Sequence, residues 1–554
     1  EVASYDAITI DGSGEQLVNK VAYTYDSRGD LTQLDQEMSG GVTKTLKWAY
    51  DYSDYQVANG NRKRLTHIEY PDGTKYLPDF GVATETDSLI SRIAGYKIDD
   101  GTVSPLIAYE HLGPSTVAIA DHIKGDFQMD RTVNAAGERH FGSVSNNPGQ
   151  YAGWDRYGRL QSQGWVRSDS KSVSDAPDRA ELFKEDYSWN RIGNLTSRIN
   201  TRMFAAAPDR DWDIRYDKLN RVVDARRGIA DSSLEITTLA DGSQTWGLDE
   251  LGNWEDTDVQ GGSDQTRTHN ESNEITGITV TSGAGGRSIG YDNNGNLTQV
   301  DLDTDGVSGY DTTTGFVYDA WNRLVRVTKD GSVHVEFEYN PLHWRVSKRI
   351  NTDYVTDTGS SPSFEDVRVR TYSPSWQMLE EEFETDGTNS VPERADSYFW
   401  GKRASDEILS KRKIFDPDGT PSTPQWWHYV TDHLFSVRAV IAGGNHDVVH
   451  ERIEYDAYGR PKVFLGGDTD DDGDFDFFDN SAFIAWYGAG DLRADLNGDG
   501  ALNFFDVSAF QAMYNAQAYG LSLTDANAVS GPDNVIGYAG YHWDEELGMW
   551  LSRH

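Results

Sequence analysis

Oxygen-bearing side chains recur twice in this sequence at one fixed spacing. In DTDDDGDFDFFD, Asp468, Asp470, Asp472, Asp476 and Asp479 take positions 1, 3, 5, 9 and 12, Gly473 takes position 6, and Asp474 stands at position 7, where a backbone carbonyl is the ligand. A second stretch, DLNGDGALNFFD, places Asp495, Asn497, Asp499, the Ala501 carbonyl, Asn503 and Asp506 in the same order around Gly500. This many hard oxygen donors around a sharply turning glycine is the ligand order of a calcium loop, whereas magnesium disfavours such an all-protein cage and zinc or copper prefer nitrogen and sulfur. The offset of 27 (495 minus 468) also matches Phe477 with Phe504, Phe478 with Phe505, Phe483 with Phe510 and Tyr487 with Tyr514, so a loop and the amphipathic helix after it are duplicated. Two calcium ions are therefore expected in residues 466–518. Between Asp468 and Asp506 eleven aspartates face one arginine, a repulsion that makes the ions a condition of folding there. A weaker third candidate is Asp301, Asp303 and Asp305 before Gly306, but Thr312 stands at position 12 and an Asp-Gly hairpin turn explains the same letters.

Outside these loops the chemistry is sparse. The 554 residues carry 90 acidic against 50 basic side chains, a net charge of -40 that repels nucleic acid phosphates. Cysteine is absent, which removes disulfides, thiolate metal sites and cysteine nucleophiles together. No run approaches the roughly eighteen apolar residues of a membrane span, and no phosphate loop, dinucleotide loop, nucleophile elbow or zinc-protease helix is present. The remaining titratable clusters, Asp432 to Leu434 and His542 to Glu546, lie where charged and aromatic residues alternate as on strands, so interstrand pairing and packing are their expected roles. No catalytic residue is expected, and the chain reads as non-enzymatic.

A repeated phrase must position everything else. It begins with an aromatic and Asp or Asn, passes through Gly or Asn to Arg or Asn, and ends in alternating apolar and polar residues: YDSRGDLTQL from Tyr25, WDRYGRLQSQ from Trp154, WNRIGNLTSR from Trp189, YDKLNRVVDA from Tyr216, YDNNGNLTQV from Tyr291, YDAWNRLVRV from Tyr318 and YDAYGRPKVF from Tyr455. Asp bonding its own backbone and Gly or Asn at positive φ make a turn, and the flanks alternate like half-buried strands, so each copy is about one β-hairpin. Lone hairpins are marginal in water, so the copies must pair edge to edge.

These phrases resemble the YD (tyrosine-aspartate) repeats of the RHS and teneurin family, over roughly residues 15 to 465. Tyr429 to Pro461 is similar to that family's RHS-associated core, with Phe435 where the family has Gly, and Gly537 to His554 resembles the segment that closes the core. The resemblance implies a mainly β fold, a long antiparallel sheet of hairpins wound into a shell or barrel, and in some members an enclosed C-terminal toxin. The paired calcium loops with Asp at position 12 resemble a type I dockerin, an EF-hand-type module that binds cohesins; they depart from it in the apolar pairs Phe477 and Phe478, Phe504 and Phe505.

The expected organisation is a YD-repeat β-shell at 1–428, the RHS core at 429–465, a small helical dockerin-like insertion at 466–518, a linker at 519–532 and the closing segment at 533–554. The expected function is that of a secreted or cell-surface bacterial structural or adhesion protein, whose calcium-ordered module binds a protein partner or a further copy of the chain. Two alternatives stay open: a shell delivering a C-terminal toxin, and a carbohydrate-binding or carbohydrate-active protein recruited through its dockerin-like module.

Overall fold

The computed structural model describes residues 4–11, 14–38, 41–52, 63–82, 85–112, 115–125, 127–131, 153–167, 181–202, 210–231, 233–240, 242–281, 285–303, 310–355, 363–384, 392–415, 424–442, 449–465, 477–489, 494, 502, 504, 507–508, 510–511, 534–544 and 546–551. Within them 34 strands form one sheet, and His542–Asp544 with Met549–Leu551 forms a separate hairpin. Strands pair antiparallel with their neighbours in sequence, from Ser4–Asp11 against Gly14–Tyr25 to Val449–Tyr455 against Pro461–Leu465. One strand steps aside: Ile236–Leu239 pairs with one end of Val222–Ala230, whose middle goes on to pair with Gln244–Leu248. The architecture is thus mainly β and antiparallel, as the repeats imply. The boundary drawn at 428/429 falls inside the strand Gln425–Thr431, which continues the same ladder from Ile408–Phe415 to Val437–Ala442.

One turn geometry explains the repeated phrase. Asp26 Oδ1 accepts the backbone N–H groups of Arg28 and Asp30 at 2.8 and 3.0 Å. The same bonds, from residues two and four further on, are made at Asp155, Asn190, Asp217, Asp231, Asp249, Asn270, Asp292, Asp319, Asn340, Ser373, Asp432 and Asp456. The fourth residue of every such turn has positive φ. It is glycine or asparagine in most, but Leu234, His343, Trp376 and Phe435 hold it with φ of 64, 67, 64 and 64°. Such a conformation brings Cβ against the backbone and costs an ordinary residue about 1–2 kcal/mol.

Side chains then couple one turn to the next. The aromatic before a turn donates to the carbonyl just after the preceding one: Trp189 Nε1 to Leu160 at 2.7 Å, Tyr216 Oη to Leu195 at 2.8 Å, Tyr372 Oη to Arg345 at 3.0 Å and Tyr455 Oη to Val437 at 2.8 Å. The closing arginine reaches forward, Arg159 Nη1 to the Asn190 carbonyl at 2.6 Å and Arg221 Nη1 to that of Asp249 at 2.8 Å. An aromatic with a polar tip and a long forked cation are what these two spans require.

The sheet passes over itself. Asn19 Nδ2 bonds the Tyr339 carbonyl (2.8 Å), Gln36 Nε2 that of Tyr372 (2.8 Å), Tyr76 Oη that of Trp400 (2.7 Å), Trp165 Nε1 that of Thr431 (2.7 Å), and Gln244 Nε2 meets Asp456 Oδ2 (3.4 Å). Both positions rise together, so the later pass follows the earlier one in the same direction. It covers 339 to 456, or 117 residues, where the earlier pass takes 19 to 244, or 225. A wound ribbon whose inner lap is shorter has this property. In Asp366–Tyr372, Met378–Glu384 and Arg394–Trp400 of the later lap, residues on both faces are buried. By contrast Gln265–His269, Ile275–Val280, Arg287–Tyr291 and Leu297–Leu302 contain no buried residue, so this part of the ribbon is a single layer. The main apolar core runs between the laps, from Val21 and Leu34 through Tyr398 and Val440 to Ile536.

Leu234 is an exposed turn tip, and Leu234→Gly should relieve its strain with little loss of packing. Chemical denaturation is expected to show a gain of about 1 kcal/mol, whereas Asp231→Ala in the same turn should lose about as much by leaving two N–H groups without their acceptor.

Candidate functional sites

The closing segment returns to the sheet beside the last turn. Val437 N donates to the Gly537 carbonyl at 3.1 Å, Ala539 N to Ser436 Oγ at 3.1 Å, and Trp550 Nε1 to the Gly459 carbonyl at 2.9 Å. The closing segment therefore meets the sheet at two turns, Asp432–Ser436 and Asp456–Arg460.

This segment carries the group His542 to Glu546, which the structure places in an ion-paired interior. Asp544 pairs with Arg345 and, at 3.4 Å, with Lys348, which also binds Glu546. Burial alone would raise the Asp544 carboxyl, but Lys348 and Arg345 outweigh it and hold it well below the ordinary carboxylate range. The same polar layer continues along the inner lap: Arg370 pairs with Glu381 across strands at 2.8 Å, and Asp396 takes both Arg394 (2.6 Å) and Lys411 (2.9 Å). His542 is kept neutral by burial and by Arg370 and Arg345 nearby. Every carboxylate named here faces a cation, an arrangement that locks the segment in place.

Asp432 belongs to a second cluster. Its ligand atoms, with those of Glu185 and His433, all lie within 4.8 Å of one another, a spacing a metal could use. The charges are already matched, however. Arg438 Nη1 is 3.1 Å from Glu185 and 3.9 Å from Asp432, and Arg198 Nε is 3.4 Å from Glu185. Tyr187 Oη donates to Glu185 at 2.8 Å, and the Tyr187 and His433 rings lie 4.3 Å apart. Two cations against two carboxylates make this an internal salt bridge joining the laps. Sequence reasoning singled out Asp432 but not Glu185, 247 residues earlier (432 minus 185), and no local pattern marks that pairing.

Of the expected calcium ligands only Asp479 lies among the described residues; Asp468, Asp470, Asp472, Asp474, Asp476, Asp495, Asn497, Asp499, Ala501, Asn503 and Asp506 lie outside them. Asp479 is fully buried in the first turn of the helix Phe477–Ala489. On that helix Phe483 stacks on Phe510, with ring centroids 4.2 Å apart and planes at 8°. These are equivalent residues of the duplication, and with Ala494 they form a separate small core. Phe478 and Phe504 point outward, 66 % and 74 % exposed. Of the weaker third candidate, Asp305 lies outside the described residues. Asp301 sits in the strand Leu297–Leu302, where its oxygens accept from Gln299 Nε2 at 2.8 and 2.9 Å and from Thr313 Oγ1 at 2.8 Å.

No family model matches the chain, and no curated protein matches it. Among solved structures it is similar to a Photorhabdus luminescens Tc holotoxin pore bearing a mutated TccC3, with 11 % identity and a TM-score of 0.49 over 82 % of this chain and 21 % of that one. It is also similar to the TcdB2-TccC3-TEV crystal structure, with 11 % identity and a TM-score of 0.41 over 99 % and 23 %. The chain thus spans about a fifth of the length of these structures. The fold assignment rests on the strand pairing itself.

Two outcomes follow for the interior. Lys348→Met leaves Asp544 and Glu546 with less compensation and should cost about 3 kcal/mol in chemical denaturation. Burial pushes His122, bonded to Ser410 Oγ at 3.1 Å, down to about 4. A depressed folded pKa gives stability that is complete above the unfolded value near 6.5 and is lost as pH falls toward 4. At this site the loss is about 3 kcal/mol at most. Stability measured from pH 7 to 4 should therefore fall, and His122→Gln should flatten the fall.

Proposed function

We propose that this chain is a non-enzymatic structural protein of the bacterial exterior: a wound YD-repeat shell carrying a calcium-ordered module that docks a protein partner. The observation that carries the module is the stacking of Phe483 on Phe510, which repeats the 27-residue offset of the two ligand sets. Two loops related in this way would set their helices against each other once each loop is closed. The residues that would hold the ions are Asp468, Asp470, Asp472, the Asp474 carbonyl, Asp476 and Asp479 in one loop, and Asp495, Asn497, Asp499, the Ala501 carbonyl, Asn503 and Asp506 in the other. Two calcium ions would offset part of the negative charge of the acidic loops and order the segment.

The docking surface we assign to the exposed Phe478 and Phe504. Their side chains stand where a dockerin presents its polar reading pair, so an apolar partner surface, on a further copy of this chain or on another protein, suits them better than a cohesin. The closing segment returns to the turn Asp456–Arg460, close in sequence to residue 466, so an insertion there need not break the sheet. A second reading, a shell around a C-terminal toxin, draws support from the shorter inner lap and from the closing segment locked against it. It predicts a protease-protected C-terminal fragment in native material.

Titration calorimetry on the full chain should find two calcium ions. Asp479→Ala and Asp506→Ala should each remove one. Chelation should open 466–518 to proteolysis while the β-sheet circular dichroism signal persists. Calcium-dependent association, measured by light scattering with the native partner or between copies, should weaken in Phe478→Ser/Phe504→Ser. Absence of calcium uptake sinks the module; uptake without any Phe-dependent association sinks the docking role alone.

A further inference from the structure

The arginine that closes a turn is engaged wherever another turn follows. Arg159, Arg221 and Arg323 each reach back to the first aspartate of their own turn at 2.6, 2.7 and 2.6 Å. Arg460 occupies the same position in the last turn of the sheet. Its backbone N–H keeps the bond to Asp456 Oδ1 at 2.9 Å, but its guanidinium makes no ion pair among the described residues, and Asp456 Oδ2 instead accepts from Gln244 at 3.4 Å. Arg460 lines two adjoining cavities of about 440 and 580 Å³, which share Gln265, Arg267 and Arg460. The larger one adds Arg287 from the single-layered part of the sheet and the ring of Trp543 from the closing segment.

Three arginines thus line one pair of adjoining cavities in a chain of net charge -40, and none of them has an acidic ion-pair partner among the described residues. Arg267 lies 4.3 Å from the centre of the Trp254 ring, with Nε buried and without a hydrogen-bond partner. Burial, and then the charge of Arg287, push its pKa down, so the cluster disfavours its own positive charge. No acidic residue is among those lining the larger cavity. In the smaller one the only carboxylate is Asp456, whose two oxygens are taken as described. Ile278, Pro461 and Trp543 add an apolar wall.

We propose that this cleft binds a phosphate-type dianion carried on a small apolar or aromatic body. Forked guanidinium donors match tetrahedral oxyanions in geometry and charge, and the anion relieves a repulsion that the protein leaves uncompensated. The apolar wall accounts for selection of an organic phosphate over the free ion. The closing segment supplies Trp543 and Gly548 to the larger cavity, so its docking completes the apolar wall beside arginines that the sheet already holds.

Calorimetry on the full chain with phenyl phosphate as the probe tests this, with inorganic phosphate, inorganic sulfate and benzoate as comparisons. Saturable binding of phenyl phosphate is expected, tighter than inorganic phosphate, and weakened about tenfold by Arg460→Ala or Arg267→Ala, a loss of about 1.4 kcal/mol. Arg323→Ala, the engaged equivalent in an earlier turn, should leave binding unchanged. Arg460 is exposed, so its removal should leave the circular dichroism spectrum intact. Benzoate binding as tightly as phenyl phosphate overturns the dianion assignment. Failure of phenyl phosphate to saturate, or an equal loss in Arg323→Ala, overturns the site.

Discussion

Two backbone N–H groups converging on one side-chain oxygen set the dimensions of this molecule. Because the acceptor is always the first residue of the turn and the donors lie two and four residues on, each hairpin closes at one length, and its strands leave in one register. A register shift of one residue would exchange the faces of a strand, so fixing the turn fixes which side chains enter the interior. The aromatic and the closing arginine then couple each turn to its neighbours, and the ribbon gains a regular edge along which it can wind.

Winding has an electrostatic consequence. An inner lap covered on both sides has no solvent face on which to put its polar alternation, so the charged residues of Asp366–Tyr372, Met378–Glu384 and Arg394–Trp400 are enclosed with the apolar ones. Enclosed charges are tolerated when each meets its opposite with good geometry. Arg370 with Glu381 and Asp396 with Arg394 and Lys411 meet that requirement within the lap, while Arg345 and Lys348 meet it through Asp544 and Glu546 of the closing segment. Opposite charges therefore select one way for the laps and the closing segment to come together, where apolar packing alone would tolerate several.

Much of this was legible in the amino-acid sequence, because the turn is local chemistry. Aspartate, glycine and asparagine at fixed spacing announced the hairpins from Tyr25, Trp154, Trp189, Tyr216, Tyr291, Tyr318 and Tyr455. Turns at Asp231, Asn270, Asn340 and Ser373 went unread, three because Leu234, His343 and Trp376 take the glycine position and one because the preceding aromatic is replaced by His269. The fit of one lap on the other was not legible, since partners such as Glu185 and Arg438 are brought together only by winding. The calcium ligands illustrate the opposite limit: their spacing was plain, yet of the twelve only Asp479 is among the described residues. At Asp301 the carboxylate sits on a strand and accepts from Gln299 and Thr313, contacts that the loop spacing does not announce.

Apart from Ile236–Leu239, which steps aside, strand order in the sheet is the order of the chain itself. Each pairing needs only residues already made, so a nascent polypeptide leaving the ribosome can add one hairpin at a time to a growing edge, without waiting for distant sequence. Contacts between laps arise only after a few hundred residues, when the later lap meets the earlier one, and the charges of Asp544 and Glu546 arrive after both. Synthesis and assembly thus run in the same direction, and the closing segment completes an interior whose two laps are made before it.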